Sequence, residues 1–162
     1  MSNPMSPATA QPMLRPQTLP VQGLVNRVIR ALLRAPLLSR LVGKRLVTIY
    51  VVGRKSGRHY AVPVAYTRLN ESLVVGSQFA WVRNLRSGQS VDIRLAGKRR
   101  SAHVRVLTDE PDVVEHLAMM ARDNHQFAKF NRIRLDYGDR PVPEDLHLAW
   151  SAGARVAVLT PR

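Results

Sequence analysis

The feature that most constrains the fold is a run of short β-type segments joined by very brief connections. Each segment is rich in Val, Ile, Leu, Thr or Tyr and is bounded by Gly, Asn, Ser or Lys. The predicted strands cover residues 46–52, 60–69, 73–75, 91–95, 101–107 and 155–159. The connections 53–58, 70–72 and 96–98 are of hairpin length. Connections this short join antiparallel neighbours, so an antiparallel sheet is predicted.

Two helices are predicted within and after this run of strands. One is short and covers residues 79–86, and the other begins at Asp109 and ends near Asp123. The second start combines a capping aspartate, an early acid and Pro111 in the first turn, which all favour helix initiation. Hairpin-linked strands with one inserted helix suit a small β-barrel, because closure removes the exposed edges of an open sheet. The pattern therefore predicts an α+β chain that is mainly β with helices.

Several enzyme classes are excluded by motifs that the sequence lacks. No G-x-G-x-x-G follows a strand, which argues against a dinucleotide-binding βαβ fold, and no P-loop, H-E-x-x-H or G-x-S-x-G is present. The five histidines match no metal-ligand spacing, so no metal site is predicted. The absence of cysteine excludes thiolate ligands and a cysteine nucleophile. Paired carboxylates for acid–base work are also missing, so any chemistry is expected to come from a cofactor.

The charge of the chain is strongly unbalanced. It carries 25 Lys and Arg against 11 Asp and Glu, a formal net charge of +14. Such an excess raises the local concentration of anionic partners, which on this ground include nucleic acid, an anionic membrane and a polyanionic small molecule. Aromatic residues make up only 6% and no stacking motif is visible, so no nucleic-acid partner is expected. The number of subunits is not indicated by the sequence.

The N-terminal quarter differs in composition from the rest. Residues 1–19 hold four prolines and no signal-peptide core, and are predicted to form a flexible tail before a single domain over 20–162. Residues 21–45 carry an apolar stripe and an arginine face, so they are predicted to form an amphipathic helical segment. This helix suits either packing on the barrel or peripheral contact with an anionic membrane. The predicted location is the cytoplasm, with a peripheral place at the inner face of the cell membrane as the alternative.

Two motifs lie between residues 51 and 85. The first is Gly53-Arg54-Lys55-Ser56-Gly57, with Pro63-Val64 on the next strand, and the second is Gly76-Ser77 followed by Trp81, Asn84 and Leu85. In order, spacing and strand context this part of the chain resembles the deazaflavin-dependent nitroreductase family, which includes quinone and nitroaromatic reductases. A weaker similarity extends to about residue 107. The resemblance implies a split β-barrel of the FMN-binding type.

The resemblance also implies a cofactor, coenzyme F420, a deazaflavin whose anionic tail carries a phosphate and several glutamates, in preference to FMN. Arg54, Lys55, Ser56 and Gly57 match the loop that holds the phosphate. A glycine-flanked turn can point backbone N–H groups at one anion, and arginine adds a fork of donors. Without the resemblance, the same segment would be read as a solvated basic hairpin.

Four further cofactor contacts follow from the resemblance. Pro63 and Val64 match the strand whose backbone lies against the deazaflavin ring. Trp81 and Asn84 are three residues apart on the short helix, so they can share one face and close over the cofactor. The alternative reading is that Pro63 marks an edge strand and that Trp81 packs in the core.

The resemblance implies hydride transfer from reduced F420 to an apolar acceptor such as a quinone or a nitro compound. Ser77, which also matches a position beside the ring, and Tyr137 are predicted to orient or protonate the acceptor. The C-terminal third departs from the family pattern, because phenylalanines stand where family nitroreductases carry tyrosines. The apolar residues expected to line the acceptor pocket are Phe127, Phe130, Trp150 and Met119 or Met120.

Two other functions stay open at this point. The departures from the family pattern suit a non-catalytic split-barrel binder of a flavin-type cofactor or a fatty acid. The charge and the cluster Lys98-Arg99-Arg100 suit a nucleic-acid-binding module, which the low aromatic content disfavours.

Overall fold

The computed structural model describes residues 45–162, in which seven strands form one antiparallel sheet. The strands are β1 (Leu46–Val52), β2 (His59–Ala65), β3 (Thr67–Leu69), β4 (Ser72–Ser77), β5 (Ser90–Leu95), β6 (Lys98–Leu107) and β7 (Arg155–Pro161). A 3₁₀ helix, Ala80–Asn84, follows β4. The helices α1 (Glu110–Asp123), α2 (His125–Phe130) and α3 (Pro143–Ser151) lie between β6 and β7 in the chain. Across the sheet the order is β2-β1-β5-β6-β7-β4-β3.

The sheet is curled, because distant strands bury side chains in one cluster. Val62 of β2 and Leu73 of β4 belong to the same apolar core, together with residues of the four strands between them. In a flat sheet those two strands would lie about 24 Å apart, given a spacing of about 4.8 Å between neighbours. The curl therefore closes the sheet around this core, which makes the fold a split β-barrel and confirms the predicted fold class.

The chain itself also links the two edges of the sheet. β2 ends at Ala65 and β3 begins at Thr67, yet β2 and β3 occupy opposite ends of the strand order. Only Tyr66 separates them, and its N–H donates to the carbonyl oxygen of Arg45 at 3.1 Å. Because one residue spans only about 3.5 Å, the edges must lie side by side. The single strand predicted over 60–69 is therefore two strands that share the closing seam of the barrel.

A second core lies on the outer face of β4 and β7. Val74 and Val156 point away from the barrel and pack against Val113, Leu117 and Met120 of α1. These two strands are thus buried on both faces, which explains their nearly continuous apolar sequences. β1 shows the opposite pattern, since its buried residues alternate with partly exposed ones. Within residues 45–162 the helices cover one half of the outer face of the sheet.

The remaining predicted elements agree with the structure to different degrees. The helix expected over 79–86 is a shorter 3₁₀ helix, whereas α1 begins after Asp109 and ends at Asp123 as predicted. The helices α2 and α3 were not predicted from the sequence. α2 begins at the Asn124 cap, whose side chain accepts the N–H groups of Gln126 and Phe127. Segments of 6 and 9 residues are too short for apolar periodicity to identify a helix.

The predicted tail over 1–19 and the helical segment over 21–45 fall outside the described residues, apart from Arg45. The single domain over 20–162 and the peripheral contact of that segment with a membrane therefore stay predictions. No helix within residues 45–162 has the length and apolar character needed to cross a bilayer.

Arg134 and Asp145 join the loop before α3 to the first turn of that helix. The Arg134 N–H, Nε and Nη2 each donate to the Asp145 carboxylate at 2.8 Å, and Asp145 is only 8% exposed. These hydrogen bonds from the side chain and backbone of Arg134 outweigh the effect of burial and lower the pKa of Asp145. A carboxylate with a lowered pKa stabilises the fold at neutral pH, and that contribution is lost as pH falls through its folded-state pKa.

We expect Asp145→Asn to lower the free energy of unfolding at pH 7 by about 1–3 kcal/mol, since the buried carboxylate that accepts three hydrogen bonds from Arg134 loses its charge. The difference from the parent should shrink below about pH 4, where the unfolded aspartate is protonated. Urea unfolding at pH 7 and pH 3 measures both effects. Glu144→Gln is the control, because Glu144 is the exposed neighbour in the same turn. An equal loss at both pH values would contradict the role of the carboxylate charge.

Candidate functional site

A groove of about 460 Å³ opens where β1 and β5 diverge. The ladder between these strands ends at the pair Tyr50 and Asp92. Beyond that pair β1 remains paired with β2 as far as Val52, and β5 is paired with β6 from Ser90 onward. Residues 51–52 and 90–91 therefore face one another without pairing, and they line the groove. A cavity of this volume is within the usual size of a small-molecule site.

The charge of the groove is positive. Arg54, Arg86 and Arg99 line it, with a single carboxylate, Asp92, among the described lining residues. Asp92 is already paired with Arg99 at 2.8 Å, and the Arg99 guanidinium also lies 4.7 Å from the centre of the Tyr50 ring. Within residues 45–162 no carboxylate forms an ion pair with Arg54 or Arg86. The groove is therefore suited to an anionic ligand.

The turn between β1 and β2 forms one rim of the groove and depends on two glycines. The Gly53 N–H donates to the Arg58 carbonyl oxygen and the Gly57 N–H donates to the Gly53 carbonyl oxygen, both at 2.8 Å. Gly57 has a φ of +64°, which favours glycine. A Cβ atom on Gly53 would lie 2.6 Å from the Ser56 Oγ. The sequence G-R-K-S-G thus has glycine where the turn needs it.

The same turn carries two backbone donors that have no acceptor within residues 45–162. The hydrogen bonds formed within residues 45–162 leave the N–H groups of Lys55 and Ser56 without a partner. The preceding N–H, that of Arg54, donates to Asn84 Oδ1 at 3.2 Å. This contact joins the turn to the last residue of the 3₁₀ helix. The two sequence motifs therefore meet in space, and Arg54 and Asn84 both line the groove.

Pro63, Val64 and Trp81 lie elsewhere on the barrel. Pro63 and Val64 are on β2, an edge of the sheet, and successive residues of a strand point to opposite faces. Val64 and Trp81 pack against the barrel core. None of the three is among the residues that line the groove. Their cofactor-binding roles, like those of Lys55, Ser56 and Gly57, stay predictions.

Ser77 and Tyr137, the two predicted catalytic hydroxyls, lie in different environments. Ser77 is the last residue of β4 and is 6% exposed, and its Oγ accepts the Phe79 N–H at 3.0 Å. Tyr137 is fully exposed in the turn after Asp136. Neither lines the groove. Their catalytic roles stay predictions.

The predicted apolar pocket is not formed as expected. Phe127 and Met120 are buried in the second core, where they pack between α1, α2 and the sheet. Trp150 is held by its Nε1, which donates to the Thr108 carbonyl oxygen at 2.9 Å. Phe130 is instead 57% exposed and lies 5.9 Å from the Phe79 ring. Apolar spacing alone could not separate residues of the core from residues of a binding surface.

Other lining residues were not assigned from the sequence. The register of β1, β5 and β6 brings Tyr50 and Arg99 to the groove. Gln89 reaches it from the loop before β5. Tyr50 lies on the outer face of β1, and the pairing of β5 with β6 brings Arg99 beside it. No linear motif signals such a set.

Comparison with known proteins identifies one family by sequence. The sequence model described as F420H(2)-dependent quinone reductase matches residues 26–134. No curated protein matches the sequence. The matched residues include β1 to β6, the turn and the groove, and they stop before α3 and β7.

Solved structures with a similar arrangement share little sequence with the chain. One, described as a domain-swapped dimer, is 15% identical with a TM-score of 0.45, over 86% of this chain and 98% of the other. A candidate 5-nitroimidazole antibiotic resistance protein from Bacteroides thetaiotaomicron is 12% identical with a TM-score of 0.45, over 78% and 79% of the two chains. A conserved hypothetical protein from Mycobacterium tuberculosis is 12% identical with a TM-score of 0.42, over 78% of each chain. Likeness at this level gives no information on activity.

We expect Gly53→Ala to displace the Ser56 hydroxyl, because the new Cβ would overlap it. The Ser56 Oγ accepts the Arg58 N–H at 3.3 Å, so that hydrogen bond should be lost, at a cost of about 1 kcal/mol. Amide hydrogen exchange at Arg58 should become faster. Gly138→Ala is the control, since its nearest neighbour would be 3.5 Å away. Unchanged exchange at Arg58 in the Gly53 variant would contradict the packing described for the turn.

Proposed function

The chain belongs to the F420H(2)-dependent quinone reductase family, and we propose that it transfers a hydride from reduced coenzyme F420 to a quinone or a similar apolar acceptor. The family supports F420-dependent oxidoreductase chemistry in general. The acceptor, the direction of transfer and the residues that act are part of the proposal.

The observation that carries the proposal is the cationic groove beside the glycine turn. The tail of F420 is anionic, and the groove offers Arg54 and Arg86 without a carboxylate partner among residues 45–162. The N–H groups of Lys55 and Ser56, which have no acceptor within residues 45–162, add two donors to the turn at this rim. Backbone donors and guanidinium groups are the usual ligands of a phosphate in proteins. The residues present therefore fit the phosphate-bearing part of this cofactor.

When bound, F420 supplies the hydride, so the protein needs no nucleophile of its own. Arg54 and Arg86 would hold the tail, and Asn84 would keep the turn in place through its contact with the Arg54 N–H. The apolar residues of the unpaired strand ends, Val51 and Val91, would exclude water from the same groove. The contribution of this chain is thus binding, orientation and desolvation.

Ser77 is the residue we assign to the acceptor. It lies on the barrel side of β4. Alternate residues of a strand point to the same face, and Leu73 and Val75 of this strand belong to the barrel core. Its Oγ accepts the Phe79 N–H, which leaves the hydroxyl hydrogen free to donate to an acceptor oxygen. Ser77 is not among the residues that line the groove, so a ligand held in the groove would have to extend beyond it to reach Ser77. Tyr137 is the second candidate and would act from the surface.

A second function is favoured by one observation. Phe127 and Met120 are core residues, so fewer apolar side chains surround an acceptor than the sequence predicts. A non-catalytic binder of F420 or another flavin-type cofactor would need the groove but no acceptor site. Measuring turnover separately from binding distinguishes the two functions.

We expect F420 to bind more tightly than FMN, because its longer anionic tail can engage more of the cationic groove, and we expect the affinity to fall as salt rises. Arg54→Ala should weaken F420 binding about tenfold or more, since a charge-assisted hydrogen bond contributes about 1.5–3 kcal/mol. Quenching of cofactor fluorescence measures the affinity. Arg68→Ala is the matched control, because Arg68 is an exposed arginine that does not line the groove.

Two results would count against this assignment of the groove. One is equal affinity for F420 and FMN with no salt dependence. The other is an Arg54→Ala variant that binds like the parent, or a control that weakens binding as much as that variant does.

We expect Ser77→Ala to lower the turnover of a soluble quinone by F420H₂ about tenfold or more, as is usual for loss of a proton-donating group. Its affinity for F420 should stay within about twofold of the parent, because Ser77 is not a groove residue. Tyr137→Phe tests the alternative donor in the same way. If the parent binds F420H₂ but oxidises none of it in a single-turnover measurement with quinone, the non-catalytic function is correct.

A further inference from the structure

An arginine of β7 lies beside Ser77 at one end of the barrel, outside the groove. Ser77 and Arg155 are directly opposite one another in the antiparallel register of β4 and β7. Leu73 and Val75 of β4 and Ala157 of β7 belong to the barrel core, so by alternation Ser77 and Arg155 share the inward face. Arg155 is half-buried, and neither of the two residues lines the groove.

Arg83 approaches the same end of the barrel from the 3₁₀ helix. A Cβ atom placed on Gly153 would lie 2.9 Å from the Arg83 Nη2, so the Arg83 guanidinium lies against this glycine. The Arg155 Nη1 donates to the carbonyl oxygen of the next residue, Ala154, at 2.7 Å. Both guanidinium groups therefore lie against two adjacent residues that precede β7. Because Gly153 has no side chain, it leaves the space that Arg83 occupies.

The protein does not neutralise the charge of this arginine pair. Within residues 45–162 neither Arg83 nor Arg155 forms an ion pair, and all 11 Asp and Glu residues of the sequence lie in that range. Among the described residues Arg155 donates only through Nη1, so the N–H groups on its Nε and Nη2 stay available. Two neighbouring cations that are partly shielded from water and have no counter-ion favour the binding of an anion.

Aromatic rings are exposed at the same end of β4. Phe79 follows Ser77 by two residues, and its N–H donates to the Ser77 Oγ at 3.0 Å. The Phe79 ring lies 5.9 Å from the ring of Phe130, and both side chains are exposed. Large apolar side chains exposed side by side often mark a binding site. This end of the barrel therefore combines two aromatic rings, a hydroxyl group and two guanidinium groups, which together suit an aromatic anion.

We propose that Arg83 and Arg155 bind an anionic oxygen of the acceptor, which narrows the acceptor to an aromatic quinone that carries an acidic group. The reaction rests on the proposed function, whereas the negative charge of the acceptor rests on the two arginines. The exposed rings contact the ring system of the acceptor, and the Ser77 hydroxyl donates to one of its ring oxygens. The acidic group is ionised before the reaction and takes no part in the hydride transfer.

The test compares two probes that share a ring system and differ in charge. Lawsone is a hydroxynaphthoquinone that is ionised at neutral pH, and menadione is a neutral methylnaphthoquinone. Calorimetry of the full-length protein without F420 should show lawsone binding more tightly than menadione. Arg83→Gln and Arg155→Gln should each weaken lawsone binding about tenfold or more and change menadione binding less than about twofold, since only the charge-assisted contacts are lost. Arg94→Gln is the matched control, because Arg94 is exposed on β5 and does not line the groove.

Three outcomes would overturn the inference. The parent could bind lawsone no more tightly than menadione, the Arg83 variant could bind lawsone as the parent does, or the control could lose as much affinity as the Arg83 variant. Inorganic phosphate that binds more tightly than lawsone, and is lost in the same variants, would assign the site to a free anion instead.

Turnover of both quinones with F420H₂ separates this inference from the proposed function. A parent that reduces menadione but does not favour lawsone in binding refutes the inference alone. A parent that binds lawsone through the two arginines but reduces neither quinone refutes the proposed function alone.

Discussion

Val62 on β2 and Leu73 on β4 reach the same apolar cluster although four strands separate them in the sheet. Burial of that cluster removes apolar surface from water, and it is possible only if the sheet curls. The short link through Tyr66 fixes the two edges side by side. Within this curled sheet β1 and β5 separate beyond Tyr50 and Asp92. The groove opens at that split.

Charge and backbone geometry give that opening its specificity. The G-R-K-S-G turn is held by its own hydrogen bonds and by Asn84. The N–H groups of Lys55 and Ser56, unpaired within residues 45–162, are therefore positioned before any ligand arrives. A site organised in advance loses less conformational entropy on binding. Arg54 and Arg86 then supply charge that no carboxylate of residues 45–162 neutralises. The combination suits an anionic, elongated ligand with an apolar part.

The sequence was informative where local signals decide the structure. Hairpin-length connections and alternating residues predicted β1, β4, β5, β6 and β7 nearly correctly. Asp109 and Pro111 predicted the start of α1, although the Asp109 side chain makes no capping hydrogen bond. The break at Tyr66 was missed, because it depends on which strand lies at each edge of the closed sheet. In the site, the contact between Arg54 and Asn84 joins two motifs already recognised as a pair. Arg99 and Tyr50 meet only through strand register, and Phe127 is buried because α2 folds onto α1, which no linear pattern reveals.

The central claim is that the turn between β1 and β2 holds the phosphate of F420, and the amide resonances of the full-length protein test it most directly. In a titration of ¹⁵N-labelled protein with F420, the account predicts that the largest chemical-shift changes fall on Lys55 and Ser56, whose N–H groups find no acceptor in the part of the chain that the structure describes. Smaller changes should follow at Asn84 and along the unpaired ends of β1 and β5. Saturable binding that leaves the amides of Lys55 and Ser56 unmoved, with the changes on α1 to α3 instead, would contradict it.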